Sequence, residues 1–216
     1  MDVKSLYNKA IDDLWNDNLN NLTEGLGKEI ALRGYAVETE LPHDDVLFVG
    51  MNPAFDIKKD TPGVNFYNVA DRRNDYFKAI VDFSENTLEY SNPSHHDLLF
   101  VRHTTQKEVL NLFNEPSYKA FLGKQLDISA GIIRALAPKL IVVLNAGARG
   151  LFESRFEADK DCEYDETIGA YRFIINESTP VLFASMLSGQ RPLDKGSRRS
   201  LQWHIRHILN KIEKGH

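Results

Sequence analysis

Four short apolar runs limit most strongly what this chain can fold into: residues 46–49, 97–101, 139–144 and 180–184. Each is apolar nearly throughout rather than alternating, and each is too short for a helix. That is the signature of strands covered on both faces. Helical periodicity marks residues 4–33, 72–83, 117–136 and 197–214, between and around these runs. Strands separated by helices build a parallel sheet between helical layers. The expected fold is a single-domain three-layer α/β/α sandwich, residues 1–216, on a central, mainly parallel four-stranded sheet, with residues 1–33 as an N-terminal helical segment. A further short strand is read at 35–41, and residues 163–176 suggest a hairpin or excursion around Thr167, Ile168, Gly169 and Ala170.

The polar residues that close the four runs fix where function is sought. The first run leads into Gly50-Met51-Asn52-Pro53 and the second into Arg102-His103-Thr104-Thr105-Gln106. The third leads into Asn145-Ala146-Gly147, and the fourth into a stretch from Ser185 to Pro192. In a parallel sheet these tips share one edge, and ligands of open α/β folds bind beyond the carboxyl ends of the strands. Asn52, Arg102, His103, Asn145, Ser188 and Arg191 therefore converge on one expected cleft. A long irregular segment, 52–69, adjoins it, and loops of that length are usually functional.

Composition narrows the partners. No run is long enough to cross a bilayer, and the first residues lack the pattern of a secretory signal, so a cytoplasmic location is expected. The single cysteine, Cys162, allows no intramolecular disulfide. The net charge is −5, yet residues 190–216 carry seven Lys or Arg against Asp194 and Glu213. A local basic surface of that kind can hold a phosphate backbone even on an acidic protein. The run His95-His96-Asp97 has metal-ligand residue types, but neighbours on a strand face opposite ways, so no metal site is expected. No phosphate-loop or dinucleotide glycine motif occurs.

The strand and turn GMNPAF at 50–55 resembles the first motif of the uracil-DNA glycosylase superfamily. Residues 135–152, ALAPKLIVVLNAGARGLF, are similar to that superfamily's helix, proline turn and third strand. Residues 179–205 sit where its second motif belongs. The resemblance spans residues 44 to about 209. It implies that Asn52 positions the water that attacks the sugar, with Gly50 and Met51 lining the base pocket and Phe66 stacking on the base. Phe55 and Tyr67 are alternatives for that stacking role. Arg102 or His103 would contact the base. Ser188, Arg191, Lys195, Arg198 and Arg199 would hold DNA, with Leu187 or Leu193 as a wedge. No cofactor is implied, and a monomer is expected.

The chain also departs from the family pattern. Arg102 or His103 replaces the asparagine that ends the second strand, Met186-Leu187-Ser188 replaces a His-Pro-Ser triplet, and Ala54 replaces a glycine. The rival expectations are a nucleic-acid-binding relative without catalysis, and an enzyme of nucleosides or nucleotides that uses the same cleft. Ser197 is read as the cap of the last helix, and Trp203, Ile205, Ile208 and Leu209 as core.

Overall fold

A computed structural model describes residues 1–18, 22, 24–156, 162–189 and 192–214. Its centre is a six-stranded sheet. The strands in chain order are β1 (Ala36–Glu38), β2 (Val46–Gly50), β3 (Asn65–Tyr67), β4 (Ser94–Asp97), β5 (Leu140–Leu144), β6 (Glu163–Asp165), β7 (Ala170–Ile174) and β8 (Ser178–Ala184). The main sheet runs β4-β2-β5-β8-β7-β6, while β1 and β3 pair with each other in parallel beside it. The strands β4, β2, β5 and β8 are mutually parallel, and β7 and β6 return antiparallel. The sheet thus has six strands instead of the four expected, because the hairpin at 163–174 extends it from β8.

Parallel neighbours need crossovers, and helices supply them. They are α1 (Val3–Asn18), α2 (Gly25–Arg33), α3 (Asp75–Leu88), α4 (Gln106–Asn111), α5 (Pro116–Leu136), α6 (Ala146–Phe156) and α7 (Lys195–Glu213). The strand alternation divides the core in two. Leu47, Val49, Ile141 and Val143 face a cluster that includes Ile11 and Trp15 of α1, Leu122 and Ile133 of α5, and Phe152 of α6. Val46, Phe48, Val142 and Leu182 face the other way, onto Phe77 and Ile80 of α3 and Ile205 and Ile208 of α7. The three layers expected from the sequence are present. β2 and β5 are buried along their whole lengths, which is why their runs show no alternation.

Three local expectations are corrected. The second strand is Ser94–Asp97 rather than 97–101; residues 98–100 leave the ladder yet stay buried. The last helix is capped by Asp194, whose carboxylate accepts from the amides of Gly196 and Ser197, not by Ser197. Trp203 is 62% exposed rather than in the core, while Ile205 and Ile208 are fully buried.

Candidate functional site

The chain leaves β2 for β4 on one side and then passes to β5 on the other side of β2. The order therefore reverses between β2 and β5, which in doubly wound sheets opens the ligand crevice at their carboxyl ends. The residues there are Gly50-Met51-Asn52 and Asn145-Ala146-Gly147. Gly147 packs so closely on Met51 that an added β-carbon would stand 2.7 Å from the Met51 sulfur. Asn145, at a φ of 78°, accepts from the Ala148 amide at 2.8 Å and so starts α6.

Asn52 is held by its amide nitrogen. Nδ2 donates to the carbonyls of His103 at 2.7 Å, Pro53 at 3.0 Å and Val101 at 3.3 Å. Three acceptors around one terminus also fix which end of the amide is nitrogen. Oδ1 is buried and accepts no hydrogen bond among the described residues. The side chain is thus a rigid acceptor at the strand tip, its donor end consumed by the backbone. Residues 98–103 lie along the same tip: the amides of Leu98, Leu99 and His103 donate to the carbonyls of Gly50, Met51 and Pro53.

Arg102 and His103 reach this region but are engaged elsewhere. The Arg102 guanidinium is buried, and Nη1 donates to the carbonyls of Thr61 at 2.8 Å, Arg33 at 3.1 Å and Gly63 at 3.2 Å. Its plane lies over the Phe55 ring at 4.8 Å. It therefore clamps the 55–63 loop onto the end of α2. Burial lowers its pKa, opposed by Asp60. His103 Nδ1 accepts from the Thr105 amide at 3.0 Å, which leaves Nε2–H facing Glu108 at 3.2 Å. Burial, then the Arg33 charge, lowers its pKa. Phe66 packs in the α1 side of the core under the Lys4 ammonium, 4.5 Å from its ring centre.

A second cluster, built around Gly50, was not foreseen. Glu38, Tyr67, Tyr76, His95, His96 and Asp97 meet at the β2–β4 edge, and all but Tyr76 are buried. A β-carbon on Gly50 would stand 2.1 Å from Asp97 Oδ1, 2.9 Å from the Tyr76 hydroxyl and 3.0 Å from His95 Nε2. His96 Nδ1 donates to Glu38 at 2.5 Å. The Tyr67 hydroxyl lies 3.3 Å from Asp97 and 3.4 Å from Glu38, and the Tyr76 hydroxyl 3.1 Å from His95. Burial and the neighbouring Glu38 push the Asp97 carboxyl up to about 7. Burial and His96 push His95 down to about 3, so its ring is neutral. His95 Nδ1 and His96 Nε2 have no hydrogen-bond partner among the described residues. Among the described residues no group of three or more His, Cys, Asp or Glu is arranged to hold a metal. The sequence signal for this cluster was present in His95-His96-Asp97; its partners lie on β1, β3 and α3, which no local pattern connects to it.

The basic residues after β8 separate. Ser188 is partly exposed, Lys195 and Arg199 are exposed on the first turns of α7, and Arg198 turns inward to donate to the Leu187 carbonyl. Leu187 itself is buried in the α7 side of the core, so it is not presented as a wedge, whereas Leu193 is only partly covered. Arg191 lies outside the described residues. No helix of the described residues is long and apolar enough to cross a membrane. No family model and no curated protein matches the chain.

Proposed function

We propose that this protein binds DNA and hydrolyses the N-glycosidic bond of a deaminated or damaged base, in the manner of the uracil-DNA glycosylases its motifs resemble. The observation that carries the reading is the fixed Asn52 at the carboxyl end of β2: its donor end is locked by three carbonyls, and its buried Oδ1 is an acceptor with no partner among the described residues. An acceptor held in that way orients a water without titrating, and catalysis then rests on positioning and electrostatics. Gly50 and Met51 supply the backbone beside it. Exposed Lys195 and Arg199, after the last parallel strand, suit a phosphate backbone.

A second reading is a DNA-binding relative without excision. What favours it is that, among the described residues, no imidazole is hydrogen-bonded to Asn52: His95 and His96 serve the Gly50 cluster, and His103 serves Thr105 and Glu108. The departing base anion then lacks an imidazole donor.

The test is an excision assay on duplex and single-stranded oligonucleotides carrying uracil, hypoxanthine or xanthine, with abasic sites cleaved by alkali. Scission by the wild type that is lost in Asn52→Ala, with the variant's fold checked by circular dichroism, supports excision. Binding without scission on every lesion selects the binding protein. Absence of binding at low salt removes both and leaves a nucleoside- or nucleotide-acting enzyme.

A further inference from the structure

The exposed face of α7 carries a large aromatic side chain, Trp203. At 100° per residue, Trp203 stands nearly opposite the stripe formed by Leu201, Ile205, Ile208 and Ile212, the residues that turn to the sheet. Its exposure, 62%, contrasts with the 5% of Trp15. One ring face stacks on His207, with centres 4.9 Å apart and planes 12° apart. Among the described residues no other aromatic ring stacks on it in parallel, and no cation lies over it. Arg199, Ser200, Trp203 and His204 line a shallow groove along this face.

Along α7 up to Ile212 charge has one sign, although Arg206 also borders a groove that holds Asp45, Glu89 and Glu213. From Lys195 to Ile212 the helix contains no acidic residue, while Lys195, Arg199, Arg206 and Lys211 lie on its exposed surface or margin. Arg206 spends one contact on the Asn86 carbonyl at 3.3 Å, whereas Lys195 and Arg199 have no ion pair among the described residues. The exposed Tyr164 stands beyond His204, near Gly169. Cations in line with open aromatic faces are the two elements by which proteins hold single-stranded nucleic acid: one follows the phosphates, the other takes the bases. An acidic peptide would use the cations but leave the tryptophan exposed.

We infer that the outer face of α7 is a track for single-stranded nucleic acid, with a base stacked on Trp203 and phosphates on Lys195, Arg199 and Arg206. The track does not depend on excision at Asn52, since it reads neither a lesion nor a flipped base.

The experiment uses the full-length protein and its tryptophan emission, titrated with undamaged oligothymidylate and with heparin, a polyanion without bases. Oligothymidylate should quench the exposed tryptophan saturably, and Trp203→Phe should leave only the unquenched emission of buried Trp15. Trp203→Ala should weaken binding at least tenfold at fixed salt, and Trp203→Phe much less. Arg199→Ala should reduce the salt slope by about one. The same titration in Asn52→Ala should match the wild type, which separates failure of the track from failure of excision. Equal quenching by heparin, equal binding of Trp203→Ala, or equally tight binding of polyglutamate would each overturn the proposal.

Discussion

The carboxylate of Asp97 occupies the space that any side chain on Gly50 would need. The two residues are register partners on adjacent parallel strands, and Oδ1 of Asp97 would lie 2.1 Å from a Gly50 β-carbon. Gly50 has no positive φ, so what requires glycine here is space and not backbone conformation. The glycine at the end of the first run thereby admits a buried polar cluster against the strand.

Gly50→Ala should accordingly destabilise the protein by about 1–3 kcal/mol, the range for overpacking a filled interior. Asp97→Ala should cost stability as well, because it removes a partner of Tyr67. In the double variant the two losses should be less than additive, since the second change vacates the space the first one needs. Urea unfolding of the four proteins measures this; strict additivity would mean the two residues do not compete for that volume.

The cluster also makes stability depend on pH in two opposing ways. Asp97 titrates at about 7 in the folded protein against 3.8 in an open chain. The native state then binds the extra proton, and stability falls as pH rises from about 4 to 7. His95 titrates at about 3 against 6.5. There the unfolded chain binds the extra proton, and stability rises with pH from about 3 to 6.5. Across the shared window the two slopes cancel, so the wild type should be nearly flat as far as this pair is concerned. Asp97→Asn leaves only the His95 contribution, and its stability relative to wild type should climb between pH 4 and 6.5 in thermal or urea unfolding.

Arg102 makes a separate prediction about the loop it clamps. Removing a buried guanidinium that donates to three carbonyls strips those of Thr61 and Gly63 of their donor and leaves that of Arg33 with only the Gly63 amide, and Arg102→Ala should cost about 3 kcal/mol or more. Arg102→Lys keeps the charge but not the planar fork that lies over Phe55, so it should recover only part of the loss. Amide hydrogen exchange should accelerate first in residues 55–63, ahead of the sheet.

What the sequence revealed and what it concealed follow from how local each feature is. The runs at 46–49 and 139–144 were legible because both faces of β2 and β5 are covered. β4 was displaced to 97–101 because its own residues, Ser-His-His-Asp, look like a turn. They are stable as a buried strand only through Glu38 and Tyr67, which lie 58 and 30 residues away from their partners. Residues 98–101 are apolar because they lie in the core on the α1 and α5 side of the sheet, paired edge to edge with the start of β1, where the Ala36 amide donates to the Phe100 carbonyl. Trp203 reads as core from its residue type, although the helical angle sets it away from Ile205 and Ile208. Asn52 was found as a residue, but the lock on its nitrogen depends on carbonyls about 50 residues further on, which no pattern in GMNPAF discloses.

That lock makes the exchange of asparagine for aspartate at this position informative. In isolation a carboxylate is the better base, and Asn52→Asp would be expected to improve the orientation or activation of a water. Here the replaced nitrogen faces the carbonyls of Pro53, Val101 and His103, so a carboxylate oxygen would confront three acceptors and no donor. Asn52→Asp should therefore lose about 2–4 kcal/mol of stability, more than Asn52→Ala, which removes one donor from each carbonyl but leaves that of Pro53 with the His103 amide and adds no charge. The lost hydrogen bonds should also free residues 101–103, so that their amides exchange faster while those of β5 do not. Chemical denaturation of the two variants, with hydrogen exchange read at residues 101–103, checks the order. A more stable Asn52→Asp would show that the side chain is held by its oxygen and that the acceptor assigned to the strand tip is not there.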